Sequence, residues 1–396
     1  MRKIQSDCLF PIYSNPIPNG ILLVSDDDTI VDIIDPATID HNISDIQYFN
    51  GIICPGFVNT HCHLELSFLK NKIDKNIGLH NFVIEVQRHR FSDTDVILQS
   101  ISDKDSLMYA QGIVAVADTL NTTDTLKCKS QSKIFYHNFI ELIGSDPEYA
   151  DIVFRKGIKI LEEFELKVPQ NKSSLTPHSL YASSERLLKT ITEHAKKRGD
   201  LISFHHLEGQ EEKDFFFNKS GTIPERLKYF NVDISSFRAS GKSPLETYYK
   251  YLPEILPLLL VHNIYAHQDD IEFALEKLKN VWWCLCPNSN LYIENKLPDV
   301  NLMLKNNCRL TIGTDSLASN DELNILSELY TLQKQFNINT NDLLKMATLN
   351  GAEYLRIDNT FGSFTKNKTP GIVLIKNANP GNYYLTDKSE SERITL

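Results

Sequence analysis

The sequence predicts an α/β protein whose central part is a TIM-type (β/α)8 barrel. Eight apolar, strand-like segments lie between residues 51 and 356, and amphipathic helical patterns follow most of them. Strands that alternate with helices are typical of a parallel sheet with crossover helices. The segment also has the length expected of such a barrel.

Each predicted strand is a short apolar run that ends close to a polar side chain. In chain order the runs are GIICPGFVNTH, GIVAVADT, IFYHNFIEL, KSSLTPH, DLISFHH, LLLVHN, VWWCLCP and RLTIGTD. The pattern SSERLLKTITEHAKKRG after the fourth predicts a helix, because serine suits its N-cap and glycine follows its basic end. The long segment FFFNKSGTIPERLKYFNVDISSFRASGKSPLETYYKYL predicts an extra loop and helix that cover the mouth of the barrel.

Both ends of the chain are rich in strand-forming residues. ILLVSDD and TIVDIID lie near the amino terminus, and GIVLI lies in the tail. These runs are bounded by Asp, Pro and Gly, as short strands usually are. We therefore expect residues 1–50 and 357–396 to form one small β-sandwich domain together, beside a barrel domain of residues 51–356.

Composition and charge exclude several classes of partner. The chain has 41 basic and 51 acidic residues and no basic cluster, so we expect no nucleic-acid binding. No apolar run approaches the roughly 20 residues needed to cross a bilayer. The first residues do not read as a secretory signal, and the seven cysteines have no framework spacing. These features predict a cytoplasmic protein with reduced thiols and a small-molecule substrate.

Four side chains at predicted strand ends form a candidate metal site. Side chains alternate along a strand, so His61 and His63 face one side of the first strand. His205 ends the fifth strand, and Asp315 ends the eighth. The carboxyl ends of barrel strands are where such folds place their active sites. Three imidazoles and one carboxylate suit Zn2+ or Fe2+ better than Ca2+ or Mg2+.

Each candidate also has a structural interpretation. Asp315 could cap a helix that begins at SLASNDEL, and His262, at the end of LLLVH, could be a core histidine. His206 is expected to pack behind the site, since it faces away from His205. The C-x-C pair of Cys284 and Cys286 reads as two strand residues rather than metal ligands. The coincidence of several such residues at strand ends favours the functional interpretation.

The strand-end motifs resemble a known family. PGFVNTHCHLELS, SFHHLEGQEE, LLVHN and TIGTDSLASND are similar to the signature stretches of the amidohydrolase superfamily, as are TPHSLYASSERLL and CPNSNLYI for its mononuclear aminohydrolase branch. That branch includes adenosine, S-adenosylhomocysteine and aminodeoxyfutalosine deaminases and triazine hydrolases. Dinuclear members carry a carboxylated lysine at the fourth strand, where this chain has His178. The resemblance therefore implies one divalent metal, with Zn2+ favoured and Fe2+ the alternative.

The resemblance also implies roles for individual residues. His61, His63, His205 and Asp315 would hold the metal, which lowers the pKa of a bound water from about 15.7 toward 7. Three residues would be catalytic: Asp315 would accept the proton of the water, Glu208 would protonate the ring nitrogen, and His262 would orient the hydroxide and stabilise the tetrahedral intermediate. Expected substrate contacts are His178, Asn290, Asn320 and Arg88. Structural roles remain open for them, and for Arg88 in particular compensation of a helix dipole.

The implied activity is hydrolytic deamination of an aminated purine nucleoside. The stretches HLELS and GLHNFVIEVQRHR are most similar to aminodeoxyfutalosine deaminases, with adenosine, methylthioadenosine and S-adenosylhomocysteine as the next substrates. Triazine hydrolysis and deamination of guanine or cytosine are the alternatives. A non-catalytic scaffold is disfavoured because every expected ligand is present. Relatives often form dimers, which makes a homodimer an expectation of the resemblance alone.

Overall fold

The structure is a computed structural model that describes residues 1–39 and 43–395. Its strands are β1 Arg2–Leu9, β2 Ile17–Pro18, β3 Ile21–Val24, β4 Ile30–Ile34, β5 Ile46–Pro55, β6 Phe57–Cys62, β7 Ile113–Leu120, β8 Phe135–Leu142, β9 Lys172–Pro177, β10 Ile202–His206, β11 Leu258–His262, β12 Val281–Leu285, β13 Leu310–Ile312, β14 Ile372–Lys376 and β15 Glu390–Arg393. Its helices are α1 Gly78–His89, α2 Thr94–Ala110, α3 Leu126–Lys129, α4 Ala150–Lys167, α5 Glu185–Arg198, α6 Gln210–Asn218, α7 Ile223–Tyr229, α8 Pro244–Tyr248, α9 Gln268–Lys277, α10 Pro287–Glu294, α11 Val300–Lys305, α12 Ile325–Phe336, α13 Thr340–Ala347 and α14 Leu349–Leu355. None of these helices is long and apolar enough to cross a membrane.

The central strands form two four-stranded parallel sheets. Their orders are β6-β7-β8-β9 and β10-β11-β12-β13, so every strand lies beside its neighbour in the chain. Isolated parallel bridges link the edges of the two sheets, Ser179 with His205 on one side and Cys62 with Asp315 on the other. The eight strands predicted from the sequence are therefore present, in chain order and parallel.

The first predicted strand is divided between two sheets. Its first residues belong to β5, which pairs with β1 and β14, whereas β6 pairs with β7. Gly56 separates the two halves. A side chain there would have its Cβ 2.2 Å from Val114 Cγ1 and 2.6 Å from the carbonyl oxygen of Pro370. The prediction of one strand over residues 51–61 was therefore wrong, because only glycine fits at this close crossing.

The two chain ends meet in a single seven-stranded sheet. Its order is β15-β14-β5-β1-β3-β4, and β2 pairs with β1. Strands from both termini thus lie side by side, and an apolar cluster that includes Ile4, Leu22, Ile53 and Leu374 is buried with it. The described residues place these strands in one sheet, so the second layer of the expected β-sandwich stays a prediction.

Helix α5 shows how local signals position the surrounding layer. The Ser184 hydroxyl accepts a hydrogen bond from the Leu187 amide at 3.3 Å, and Gly199 ends the helix in the left-handed conformation at φ 71°. Both features follow the predicted pattern. The long segment after β10 forms three short helices, α6 to α8, where we predicted one. Pro224 lies in the first turn of α7, Pro244 begins α8, and Ser243 and Glu246 form a capping box at α8.

A buried ion pair supports the segment that follows β6. Lys129 and Asp118 are both fully buried, and Lys129 Nζ lies 2.5 Å from Asp118 Oδ2. The ammonium also donates to Asn138 Oδ1 at 2.7 Å. The other carboxylate oxygen, Asp118 Oδ1, accepts the Leu64 amide at 2.8 Å. The ion pair therefore fixes the backbone immediately after His63.

We expect Lys129→Met to lower the free energy of unfolding by about 3–5 kcal/mol, because it leaves the Asp118 carboxylate buried without its cation. Urea unfolding measures this difference. The control Lys127→Met, which changes an exposed lysine of the same helix, should stay within about 0.5 kcal/mol of the wild type. A Lys129→Met protein as stable as this control would contradict the supporting role.

Candidate active site

Three imidazoles converge where the edges of the two parallel sheets meet. His61 lies in β6, His63 directly follows it, and His205 lies in β10. One ring nitrogen from each lies within 4.8 Å of the others. The Nε2 atoms of His63 and His205 are 3.3 Å apart. The alternation that placed His61 and His63 on one face therefore brings both to the same point.

Asp315 presents one free carboxylate oxygen to this cluster. Its Oδ1 lies 3.6 Å from His61 Nε2 and 3.7 Å from His63 Nε2, which is too long for a hydrogen bond. Its Oδ2 accepts hydrogen bonds from the hydroxyls of Ser289 at 2.6 Å and Ser319 at 2.7 Å. The two serines therefore orient the carboxylate, and Oδ1 remains available.

The four side chains fit a divalent cation. Both ring nitrogens of His61 are buried and have no hydrogen-bond partner among the described residues. Burial lowers the pKa of His61 to about 4, so its imidazole is in the neutral form that binds metals. His205 Nδ1 donates to the carbonyl oxygen of His178 at 2.8 Å, which leaves Nε2 free as a ligand. Three nitrogens and one oxygen form a set that zinc sites use.

Glu208 and His262 lie beside the cluster. His262 ends β11 with φ 73°, and its Nδ1 donates to Asn290 Oδ1 at 2.8 Å. Its Nε2 has no hydrogen-bond partner in the described part of the chain and lies 3.6 Å from Glu208 Oε1. Burial, and then the negative charge of Asp315, raise the pKa of Glu208 to about 8. Glu208 is therefore a proton donor at neutral pH.

A second buried acid, Glu212, holds the backbone of Glu208. Its Oε1 accepts the Glu208 amide at 2.8 Å. Burial raises the pKa of Glu212 to about 8 as well. Glu212 was not among the site residues predicted from the sequence, although its position four residues after Glu208 could have indicated that the two lie close together.

A cavity of about 110 Å³, here called the inner cavity, lies over these groups. His63, His205, Glu208 and Asp315 contribute to its floor. One wall comes from helix α1 and the residue that ends it, namely Leu79, Phe82, Val83, Val86, Gln87 and Arg90. The opposite wall includes Glu141, Ile143, His178 and Tyr181. An apolar wall that faces convergent polar groups is typical of a small-molecule site.

A chain of polar contacts connects four residues of the cavity wall through Asn121. His178 Nδ1 donates to Glu141 Oε2 at 2.6 Å, and Asn121 Nδ2 donates to Glu141 Oε1 at 2.9 Å. Arg90 also contacts Asn121, and it donates to Glu65 Oε1 at 3.2 Å. Although burial opposes ionisation, the pKa of Glu141 lies below its ordinary value because His178 is close. Sequence analysis missed these groups, apart from His178; Glu141 lies one residue before the end of the third predicted strand.

The structure places the other expected substrate contacts away from the inner cavity. Arg88 is exposed and pairs with Glu85 at 2.6 Å, whereas Arg90 lines the cavity. The reason is helical geometry, because residues two apart point about 200° from each other. Asn320 donates to the Thr314 carbonyl and to Glu328, behind the site. Asn290 holds His262, so His178 is the one expected contact that reaches the cavity wall.

Parallel strands that alternate with helices, and titratable side chains at their carboxyl ends, define an enzyme of the TIM-barrel class. The model of the amidohydrolase family matches residues 52–392, so the chain belongs to the amidohydrolase family. That family is metal-dependent. Relatives named as deaminases support a hydrolytic C–N deaminase within that family.

Two relatives found by sequence and one solved structure are similar to most of this chain. The 5-methylthioadenosine/S-adenosylhomocysteine deaminase of Thermoanaerobacter pseudethanolicus is 27% identical over 345 residues, or 82% of this chain and 73% of that protein. The aminodeoxyfutalosine deaminase of Nitratiruptor sp. is 29% identical over 292 residues, or 71% and 67%. The solved Helicobacter pylori aminofutalosine deaminase with methylthio-coformycin has a TM-score of 0.80 at 22% identity, covering 98% of this chain and 94% of that one.

Glu212 predicts a pH-dependent stability difference. A carboxyl whose pKa rises from 4.5 to about 8 on folding stabilises the fold below pH 4.5 and loses that contribution as the pH rises to 8. Glu212→Gln keeps the acceptor for the Glu208 amide but has no charge. It should match the wild type near pH 4.5 and be the more stable protein above pH 8.

Urea unfolding of the metal-loaded proteins at four pH values between 4.5 and 9 measures this difference. The exposed substitution Glu193→Gln should follow the wild type at every pH. A constant difference between Glu212→Gln and the wild type across this range would show that Glu212 does not titrate on folding.

Proposed function

We propose that this protein is a metal-dependent hydrolytic deaminase of an aminated purine nucleoside, which it converts to a ring carbonyl and ammonia. The observation that carries the proposal is the position of Glu208. A carboxyl with a pKa of about 8 lies at the inner cavity, beside His262 and next to three imidazoles and a carboxylate. Hydrolysis of the bond between a ring carbon and its amino group needs such a proton donor beside an activated water.

His61, His63, His205 and Asp315 are the residues that would hold the metal; we place Zn2+ first, and Fe2+ is the alternative that the same ligand set accepts. When bound, the cation supplies a water that is ionised near neutral pH. Asp315 Oδ1 faces the cluster while Oδ2 is held by two serines. This oxygen can accept the proton that the attacking water loses.

Glu208 and His262 would act on the substrate side of the reaction. Glu208 donates its proton to the ring nitrogen that gains charge when the neighbouring carbon is attacked. His262 Nε2 has no hydrogen-bond partner among the described residues, and Asn290 fixes its ring. With its one N–H donated to Asn290, the neutral ring presents an Nε2 lone pair, which can accept a hydrogen bond from the attacking water and orient it. Asp315 then passes the proton that it took from the water to the amine, which leaves as ammonia, while the added hydroxyl returns its proton to Glu208 as the ring carbonyl forms.

Relatives supply the order in which substrates should be tested. The names of two similar proteins specify aminodeoxyfutalosine and methylthioadenosine or S-adenosylhomocysteine. We place aminodeoxyfutalosine first, and then adenosine, methylthioadenosine and S-adenosylhomocysteine. His178, which lines the inner cavity and is oriented by Glu141, is the proposed contact for a sugar hydroxyl.

The same proposal includes the architecture around the site. We propose that the two parallel sheets close into one (β/α)8 barrel, supported by the bridges at Ser179–His205 and Cys62–Asp315. We also propose that residues 51–356 form the barrel domain and that residues 1–50 and 357–396 form the small domain. The shared seven-stranded sheet supports a small domain built from both chain ends, although its strand β5 extends to Pro55, five residues past the proposed boundary.

Ammonia release from zinc-loaded protein tests the proposed function. The panel contains the four nucleosides above together with guanine, cytosine and an aminotriazine. We expect turnover of at least one nucleoside, and loss of that turnover after the metal is removed with a chelator and its return with Zn2+. Turnover of the triazine or of free bases alone would contradict the nucleoside assignment.

Glu208→Gln should lower kcat by roughly 100- to 10,000-fold, because the amide cannot donate the required proton. Its metal content should match that of the wild type, since Glu208 is not one of the four proposed ligands. Elemental analysis and ammonia release measure the two quantities separately. The exposed control Glu225→Gln should retain the metal content and kcat of the wild type. Wild-type turnover by Glu208→Gln would contradict the proposed proton transfer.

A further inference from the structure

A second, larger cavity adjoins the inner cavity and is here called the outer chamber. Its volume is about 510 Å³, compared with about 110 Å³ for the inner cavity. The two cavities share wall residues, including Val83, Ile143, His178 and Tyr181. A substrate whose reacting ring lies at Glu208 can therefore extend past His178 and Tyr181 into the outer chamber.

The wall of the outer chamber is mostly apolar. Ile143, Ile152 and Val153 contribute from the side of β8 and α4, and Leu227 and Phe230 contribute from α7 and the residue that ends it. Such a wall suits an apolar part of a ligand. Helix α7 belongs to the long segment between β10 and β11, so this segment builds part of the chamber.

Arg226 of α7 is a buried cation in this wall. It is 2% exposed, and its guanidinium lies 5.3 Å from the centre of the Tyr181 ring. Neither Nη1 nor Nη2 makes a hydrogen bond to any described residue. Glu211 Oε1 lies 3.5 Å from Nη1 and offsets the charge, but it too lacks a hydrogen-bond partner in the described chain. Buried guanidinium donors without acceptors lower the stability of the fold unless a ligand supplies the missing acceptors.

The other charged groups near the two cavities do not present free, buried donors. Arg90 donates hydrogen bonds to the side chains of Glu65 and Asn121. Lys156 lines the outer chamber but is exposed. The carboxylate of Asp146, also in this wall, accepts the Glu148 amide at 2.9 Å. Arg226 is therefore the buried group in this wall that is suited to an anion, and its two Nη atoms match the two oxygens of a carboxylate.

We propose that Arg226 binds a carboxylate at the far end of the substrate, so that the preferred nucleoside carries an apolar substituent ending in a carboxylate. The inference rests on the proposed function, because it assumes that the nucleoside base lies in the inner cavity. The apolar wall holds the middle of the substituent, and the guanidinium holds its end. Selectivity among nucleosides then comes from helix α7 rather than from the strand ends.

The test compares each acid with its neutral ester. The probes are aminodeoxyfutalosine and S-adenosylhomocysteine, both carboxylic acids, their methyl esters, and uncharged methylthioadenosine. For wild-type protein we expect kcat/KM for at least one acid to exceed that for its ester by 30-fold or more, an effect of the size expected for a charge-assisted bidentate contact. Equal kcat/KM for both acids and their esters would overturn the proposal without any variant.

Arg226→Met should raise KM for the preferred acid about 100-fold with little change in kcat, and should leave kcat/KM for methylthioadenosine within about threefold. Arg226→Lys should give an intermediate KM, because lysine keeps the charge without the planar fork. The control Arg155→Met removes an exposed charge from neighbouring α4 and should behave as wild type. Equal loss of activity on acids and neutral nucleosides would mean that Arg226 is only structural, and would overturn the proposal.

Two further outcomes separate this inference from the proposed function. Deamination of methylthioadenosine or adenosine with no preference for an acid would leave the function standing and remove the carboxylate site. If no nucleoside is deaminated, the proposed function fails, and thermal stabilisation of the wild-type protein by each acid and its ester still tests the chamber. Stronger stabilisation by an acid that Arg226→Met abolishes would retain the anion site, and its absence would remove it.

Discussion

The site depends on the hydrogen bonds that join β6 to the segment after β13. The carbonyl oxygen of His61 accepts hydrogen bonds from the backbone amides of Thr314 and Asp315, each at 3.0 Å. The Asn59 side chain accepts a hydrogen bond from the Thr314 amide and donates one to the Thr314 hydroxyl. These contacts link the first and last parallel strands and place the His61 and Asp315 side chains next to each other. Without these hydrogen bonds, His61 on one sheet and Asp315 beside the other would not be held together as ligands of one site.

Burial divides the carboxyl groups of the site into two kinds. Asp315 and Glu141 have pKa values below their ordinary range despite burial, because imidazoles lie against them. At Glu208, Glu212 and Glu328 the effect of burial is larger than that of the groups that lower the pKa, and each pKa rises to about 8. The same protein interior therefore keeps one carboxylate ionised beside the imidazoles and one carboxyl protonated within reach of His262, which are the acid and base that hydrolysis of a C–N bond requires.

The sequence predicted the features that depend on strand periodicity. It did not predict the orientation of side chains that lie on helices or in the long connection after β10. The eight parallel strands and the convergence of His61, His63 and His205 follow from a period of two residues and from polar strand ends. Arg88 and Arg90 both close the first helical pattern, and which of them faces the inner cavity could not be predicted, because the rotation of α1 relative to the sheet cannot be read from its composition. Arg226 lies within a segment whose three short helices pack by tertiary contacts, and no local pattern showed that its guanidinium is buried.

This division has a consequence for specificity. The groups proposed to break the C–N bond lie on strand ends and short following turns, where the sheets fix them through backbone hydrogen bonds. The groups that face the rest of a substrate lie on α1, on the loop after β8 and on α7, which pack on that frame. A substitution at Arg226 can therefore change which nucleoside is accepted while the positions of His61 and Asp315 stay the same, since no backbone hydrogen bond of the β6 junction involves α7. If Arg226 binds substrate as proposed, the connection between β10 and β11 selects the nucleoside, while side chains at the strand ends carry out the reaction.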